Sequence, residues 1–445
     1  MNRLLQSLAA AVLLAHGALS AAPAPALPSQ LSLRQAKDIA LRDNPDLLVT
    51  QARIQAAAAR LREARAGYLP SVSLTADATR QLDYARQNRR DAHRDAMSSF
   101  SAGIEATYTL FEGFATQLEV SAQRLALDIA QSNHADAQRQ LLLAVATAYY
   151  TALLERQNVI IAVEDQKYNE QLQQNAEKKL RRGSGTRSDV LNFEIQAKMA
   201  DANRILAEVN YDTAILALAE LLSVPPESIP KDLALDSVQD YLKASPLPSA
   251  EQLRQYAYEN RPDLQALDAT IRRCQDLADQ QRADYYPTLS AFGAYGFSRD
   301  HSPAFRNVND EAQIGLRLSW NIFSGGATQA RVAQANADRM EAEASRTSLR
   351  QAIASDIATQ LNIIAQARRL ADLKNATMLV AQRARDLVQK EYENGRVTAT
   401  RLNEAQTDLT SAKGAYIKAV INYWQYRQNL DSTTAHILNA ADDHL

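Results

Sequence analysis

The chain has 445 residues, enough for two or three ordinary domains. Its 49 Lys and Arg nearly balance its 51 Asp and Glu, and no basic stripe is interleaved with aromatics, so nothing favours nucleic acid as a partner. Glycines number only 13, while Ala, Leu, Gln, Arg and Glu fill long stretches, which is the composition of long helices.

Residues 1–20 read as an export signal: Arg3 gives a positive start, Leu4 to Leu14 an apolar run, and Ala18 and Ser20 small residues suited to cleavage. A membrane anchor is the competing reading, but the run is too short to span a bilayer comfortably. Further on, no stretch of about 18 apolar residues occurs, so no transmembrane helix is expected. The single cysteine, Cys274, has no intramolecular disulfide partner and is expected to be a packed thiol.

A first stretch, 21–245, opens with a helix over 33–66. Pro70 stops the helical pattern, since proline has no amide hydrogen to donate, and begins a β-hairpin over about 69–112. In its second strand Phe100, Ala102, Ile104, Ala106, Tyr108 and Leu110 alternate with Ser101, Gly103, Glu105, Thr107 and Thr109. That period of two places one set on each face. Val72, Leu74, Ala76 and Ala78 alternate less sharply in the first strand, and the tip over 81–95 is polar. A proline-free helix follows over 115–182; at ~1.5 Å per residue it would extend roughly 100 Å. Its apolar residues recur at steps of four and three (Leu118, Ala122, Leu125, Ile129), the narrow seam of a coiled coil. Gly183, Ser184 and Gly185 permit a tight turn, and a return helix over 188–222 leads into a Pro-rich linker.

The second stretch, 246–431, repeats the first. Asn44-Pro45-Asp46-Leu47 resembles Asn260-Arg261-Pro262-Asp263-Leu264, and Tyr68-Leu69-Pro70 resembles Tyr285-Tyr286-Pro287, both at an offset of 217. Phe111 and Phe323, and then Gly183 and Gly395, stand at an offset of 212, so the second copy has lost five residues between these signals. Such ordered matches mark two copies of one unit. The second copy is expected to hold a helix over 250–283, a hairpin over about 287–323 with its tip at 298–310, a long helix over 327–394 and a return helix over 400–430, before a tail at 432–445. Its alternation is sharper: Ala312, Ile314, Leu316, Leu318, Trp320 and Ile322 on one face, Gln313, Gly315, Arg317, Ser319 and Asn321 on the other.

Four strands cannot close a barrel, and hairpins with an uncovered apolar face aggregate. In an exported chain this pattern points to the outer membrane, where sheets are tolerated only as closed barrels. Closure by identical copies requires cyclic symmetry; two copies would give eight strands with a bore packed by side chains, and three would give twelve, enough to leave a lumen. The expected fold is mainly α with a β-barrel part: an outer-membrane barrel closed by strands from identical copies, from which the long helices project away from the membrane as a tube, with two structural repeats per chain. A non-pore periplasmic coiled-coil structural or adaptor protein remains the alternative, since alternation also fits a half-buried soluble sheet.

Asn-Pro-Asp-Leu at 44–47, Tyr-Leu-Pro-Ser at 68–71 and Ile322-Phe323-Ser324-Gly325-Gly326, with their copies, resemble the TolC-like outer-membrane efflux family over essentially the whole mature chain. The resemblance implies a homotrimer, a trimeric 12-stranded outer-membrane β-barrel continuous with a long periplasmic α-helical barrel, whose membrane-facing strand residues (Ile104, Tyr108, Ile314, Leu316, Leu318, Trp320) meet outer membrane lipid. It also implies docking to a periplasmic adaptor (membrane fusion) protein and an inner-membrane transporter, with the large helical part in the periplasm. The adaptor is expected at the turns Gly183, Ser184, Gly185, Thr186 and Gly395, Arg396. A periplasmic pore constriction is expected from Arg401, Glu404, Asp189 and Tyr392. Glu404 keeps an acid typical of the family, whereas Arg401 departs from it, and Val397 stands where a basic partner for the tip would be; Arg401 or Arg396 is the candidate substitute.

Catalytic chemistry is not expected. Six histidines, His93 and His301 among them, make no paired metal motif, and no phosphate-binding loop occurs, so neither cofactor nor metal is expected and energy must come from a partner. Tyr108, Tyr285, Tyr286 and Trp320 near the strand ends suit an interfacial aromatic belt.

Overall fold

A computed structural model describes residues 27–81, 97–230, 233–236, 248–300 and 309–439. The expected export signal, His93, His301 and most of both hairpin tips lie outside these residues. The described helices are α1 (Leu33–Asp43), α2 (Pro45–Ala66), α3 (Ala115–Arg181), α4 (Arg187–Leu221), α5 (Ala250–Asn260), α6 (Pro262–Ala283), α7 (Ala327–Glu393) and α8 (Ala399–Thr434). The strands are β1 (Gln30–Leu31), β2 (Ser71–Gln81), β3 (Met97–Phe111), β4 (Ala234–Leu235), β5 (Thr288–Asp300) and β6 (Asn309–Ser319). None of the described helices is long and apolar enough to cross a membrane.

Four boundaries differ from the sequence reading. Each opening helix is two helices, because the residue before a proline is driven out of the α region and the proline itself cannot donate. Asn44 is extended (φ −71°, ψ 124°), and its side-chain amide donates to the Leu221 carbonyl at 3.0 Å. Arg261 is extended in the same way before Pro262, its guanidinium bonded to Asp263 at 3.0 and 2.6 Å. Strand β6 ends at Ser319, so Trp320 and Ile322 follow the strand and are not in it. Helix α8 runs on to Thr434, is capped by Ala435 at φ 68°, and passes into a short 3-10 turn at His436–Leu438 whose Ile437 is buried. Residues 432–439 are therefore structured, not a tail.

The chain divides into two compact units. One comprises the described residues up to Pro45, those within Gln138–Leu253 and those from Asp356 onward. Its main core gathers Leu31, Ala36, Tyr149, Leu153, Leu218, Leu222 and Ile421, fully or almost fully buried. Strands β1 and β4 pair in parallel on this core. The Tyr149 hydroxyl fastens both, donating to the Leu31 carbonyl at 2.9 Å and accepting from the Asp236 amide at 3.0 Å. Arg156 adds a bond to the Leu235 carbonyl at 2.6 Å.

The other unit comprises the described residues within Asp46–Ala137 and Arg254–Ser355. Its helices are tied by polar contacts: Ser121 to Asp276 at 2.5 Å, Gln280 to Glu119 at 2.9 Å, Thr50 to His134 at 2.7 Å, and Arg346 with Asp268 at 2.5 Å. Its sheet has four antiparallel strands in the order β2-β3-β5-β6. The β3–β5 pairing, which joins the hairpins of the two halves, was not legible in the sequence; it carries one irregularity between Thr109 and Phe111.

Candidate functional site

Two regions carry the expected functional residues, one in each unit. The first is the pair of glycine turns. Helix α3 ends in a reversal in which the Gly183 amide donates to the Leu180 carbonyl at 2.9 Å and the Ser184 amide to the Lys179 carbonyl at 3.0 Å. Helix α7 ends alike, the Gly395 amide bonding Tyr392 at 3.0 Å and the Arg396 amide bonding Glu391 at 2.9 Å. This closure satisfies the orphan carbonyls of a helix end and demands a left-handed residue, supplied by Gly183 at φ 74° and Gly395 at φ 70°. Gly185 answers a different need: a Cβ there would stand 3.0 Å from the Leu180 nitrogen.

Each return helix is then capped by a threonine. Thr186 Oγ1 accepts from the Asp189 amide at 3.1 Å, and Thr398 Oγ1 from the Arg401 amide at 3.4 Å. Asp189 and Arg401 thus hold the same position in the first turn of α4 and α8, with opposite charges. Arg401 Nη1 meets Glu404 Oε2 at 3.0 Å on its own helix, and both side chains are 57% exposed. The pair lies along one helix and, among the described residues, bridges to no other element.

Between the turns sits a small apolar core of Leu172, Ala176, Val190, Phe193, Val388, Ala399, Leu402 and Ala405, with Phe193 and Leu402 fully buried. Val397 and Tyr392 pack against it. The Tyr392 ring meets Phe193 edge-on at 5.7 Å, and Lys179 Nζ stands 4.5 Å above its face. Burial pushes the Tyr392 hydroxyl above its ordinary pKa, and the negative charge of Asp189 adds to this. The structure therefore brings Asp189 and Tyr392 together and keeps Arg401 with Glu404. The cation beside Tyr392 is Lys179, which sequence reasoning missed; it belongs to the other helical hairpin, far away along the chain.

A polar layer deeper in the same unit was missed as well. Asp165 Oδ1 accepts from Gln406 Nε2 at 2.7 Å and from Thr410 Oγ1 at 3.0 Å, while Lys413 reaches Glu164 at 2.7 Å. Nearby, Arg385 lies over the Tyr168 ring at 5.0 Å, and burial raises the Tyr168 pKa. Apolar periodicity is silent about such ties.

The second region is the sheet. Its register sorts side chains into two faces. Ser73, Glu105, Ala294 and Gln313 share one row; Leu74, Ile104, Tyr295 and Ala312 share the next, on the opposite face. The apolar face is uncovered within the chain's described residues: Ile314 is 93% exposed, Leu74 78%, Leu316 68% and Leu318 67%. Ile104 and Tyr108 are also exposed on that face. Trp320, past the strand, is exposed and donates from Nε1 to the Tyr285 carbonyl at 3.1 Å. Among the described residues, the edge strands β2 and β6 have partners on one side only. Among the described residues no group of His, Cys, Asp and Glu is arranged to hold a metal, and Cys274 is half-buried, its thiol pKa raised by that burial.

The model of the outer membrane efflux protein family matches residues 37–224 and 253–436. The chain is 27% identical over 392 residues to Protein CyaE of Bordetella pertussis, covering 87% of this chain and 80% of that protein. It is 26% identical over 424 residues to the outer membrane protein TolC of Escherichia coli K12, covering 90% and 81%. The fold superposes on the crystal structure of CusC, described by its transmembrane channel formation, with a TM-score of 0.79 at 17% identity, covering 90% of this chain and 91% of that one. A mainly helical chain with a two-faced β part, matched twice by one family model, belongs to the outer membrane efflux protein family and is an outer-membrane exit duct with a periplasmic helical extension.

Proposed function

We propose that this duct is a passive homotrimer, the outer component of a tripartite export system, and not an enzyme. The observation that carries the reading is the four-stranded sheet with two open edges and an exposed apolar face. A lone sheet of this kind is an aggregation hazard in water. Pairing β2 of one copy with β6 of the next removes both edges, and three copies give a closed barrel of twelve strands around a lumen. Ile104, Tyr108, Ile314, Leu316 and Leu318 then meet lipid, with Trp320, Tyr285 and Tyr286 at the interface.

The glycine turns, Gly183 to Thr186 with Gly395 and Arg396, receive a periplasmic adaptor, which couples the duct to an inner-membrane transporter that supplies the energy. Arg401, Glu404, Asp189 and Tyr392 border the periplasmic entrance. The cargo is a small molecule or a secreted protein handed over by that transporter. The entrance reading is supported by the exposure of Arg401 and Glu404 beside a rigid apolar cluster. The test is the mass of the purified mature protein in detergent, with its conductance in a planar bilayer. A trimer with small, steady, salt-dependent conductance is expected. A water-soluble species without conductance would refute the duct and favour a periplasmic coiled-coil protein.

A further inference from the structure

Phe292 breaks the alternation of the sheet. Its register partners are Thr107 and Gly315, which places it on the polar face with Ser71, Glu105 and Gln313. The ring lies across the neighbouring strand: a Cβ on Gly315 would come within 2.9 Å of Phe292 Cζ, so this position of the ring depends on the glycine. Two residues further along β6, Arg317 lays its guanidinium over the same ring, 4.8 Å from the centroid. A guanidinium on an aromatic face is attracted by the ring quadrupole and keeps its outer N–H groups free for a planar anion.

Charge on this face is ordered along the strands. Among its residues with described side chains, Arg317 is the only basic one, opposite Ser290 in the row of Thr109. Asp77, Glu105 and Glu311 lie toward the hairpin tips, and Glu311 accepts from Gln313 at 2.6 Å. Six residues of strand separate Arg317 from Glu311, about 20 Å at the rise of a strand. That is roughly twice the screening length of about 10 Å at 0.1 M salt, so the guanidinium acts on its surroundings largely independently of that carboxylate.

We propose that Phe292 and Arg317 form an anion-attracting station on the wall of the export path, with Phe292 as the positioning residue and Arg317 as the group that meets carboxylate, phosphate or sulfonate groups of passing substrates. This rests on the reading that the polar face of the sheet lines water inside the barrel. In a trimer the station occurs three times at one level, at the ends of the strands that lead into α3 and α7. Its consequence is a local preference for anions that the acidic rows toward the tips then oppose.

The test uses the full chain in lipid vesicles with Cys274→Ser as background. Ser290→Cys sits directly across from Arg317, and Ala291→Cys, one residue on, is on the opposite face. Each is labelled with anionic and cationic methanethiosulfonate reagents, and the ratio of the two rates cancels effects on thiol reactivity itself. Ser290→Cys is expected to react and Ala291→Cys to resist both reagents. Adding Arg317→Gln should lower the anionic-to-cationic ratio at Ser290→Cys at least about threefold at 0.1 M salt. Phe292→Ala should lower it partway, and Phe292→Tyr should keep it. Labelling at Ser290→Cys with a ratio unmoved by Arg317→Gln would overturn the station and leave a water-lined face. Labelling at Ala291→Cys equal to or above that at Ser290→Cys would overturn the face assignment and the station with it.

Discussion

Removing one oxygen atom from Tyr149 isolates the contact that fastens β1 and β4. The ring is fully buried and meets Tyr150 edge-on at 6.1 Å, contacts that Tyr149→Phe would keep. The variant takes away the hydroxyl that donates to the Leu31 carbonyl and accepts from the Asp236 amide. Leu31 has no exposure, so water cannot replace the lost donor there; the Asp236 side of the contact is only partly buried. A buried group left without its partner costs about 1–3 kcal/mol, which puts the sum near 2 kcal/mol. The β1–β4 ladder has only two residue pairs, so the loss falls on local opening more than on global unfolding. About 2 kcal/mol is roughly a 30-fold rise in the opening equilibrium. Hydrogen exchange read by mass spectrometry over 28–36 and 233–236 should show faster exchange of that order, with the glycine turns unchanged. A change below about threefold would refute the argument that this hydroxyl holds the two strands.

Other expectations follow from the turns. Gly395→Ala meets no neighbouring atom within 4 Å but must hold φ 70°, so it should cost about 1–2 kcal/mol purely through the backbone, and Gly395→Asn less, read as local exchange at the turn. Tyr392 has a raised pKa, so its neutral form belongs to the folded tip: its contribution is complete below about pH 10 and is lost as pH rises through the higher folded value. Tyr168 and Tyr211 are raised by burial too, so tyrosine 13Cζ shifts should contain several late-titrating signals, of which Tyr392→Phe removes one; an unchanged set in the variant would contradict the assignment. Arg401→Asp should raise cation preference in a planar bilayer; an unchanged reversal potential in a salt gradient would show that Arg401 does not border the pore.

Strand β6 was legible because Ile314, Leu316 and Leu318 alternate with polar residues, and a period of two in so short a run is the mark of a strand with one apolar face. The same alternation continues through Trp320 and Ile322 after the ladder has ended, so periodicity alone misplaced the strand end. The breaks at Asn44 and Arg261 were signalled by the following prolines, but the helical pattern on either side concealed them. The β1–β4 pair and the β3–β5 ladder were invisible for another reason: each joins segments far apart in sequence, and a two-residue strand has no period to read. At the turns the glycines announced themselves through the left-handed backbone they permit. Lys179 over Tyr392 and the Asp165–Gln406–Thr410 tie did not, because contacts between two helical hairpins leave no mark on either sequence alone.

The repeat makes the charges at the turns interpretable. Asp189 and Arg401 begin return helices that are capped alike by Thr186 and Thr398. The amino end of a helix carries partial positive charge, so Asp189 stabilises α4 there and Arg401 opposes α8, each by about 0.3–1 kcal/mol. Pairing with Glu404 returns little: both side chains are 57% exposed, and such a pair contributes about 0.2–0.5 kcal/mol. Helix stability therefore does not account for an arginine at this position. Beneath it, Leu402 and Phe193 are fully buried and fix the backbone whatever charge stands above. Arg401 is consequently free to be exchanged without disturbing the fold, and its effect must lie in what it presents to solvent. For that reason a change of ion preference in Arg401→Asp, with the turns' exchange unaltered, reports on the entrance and not on a damaged helix.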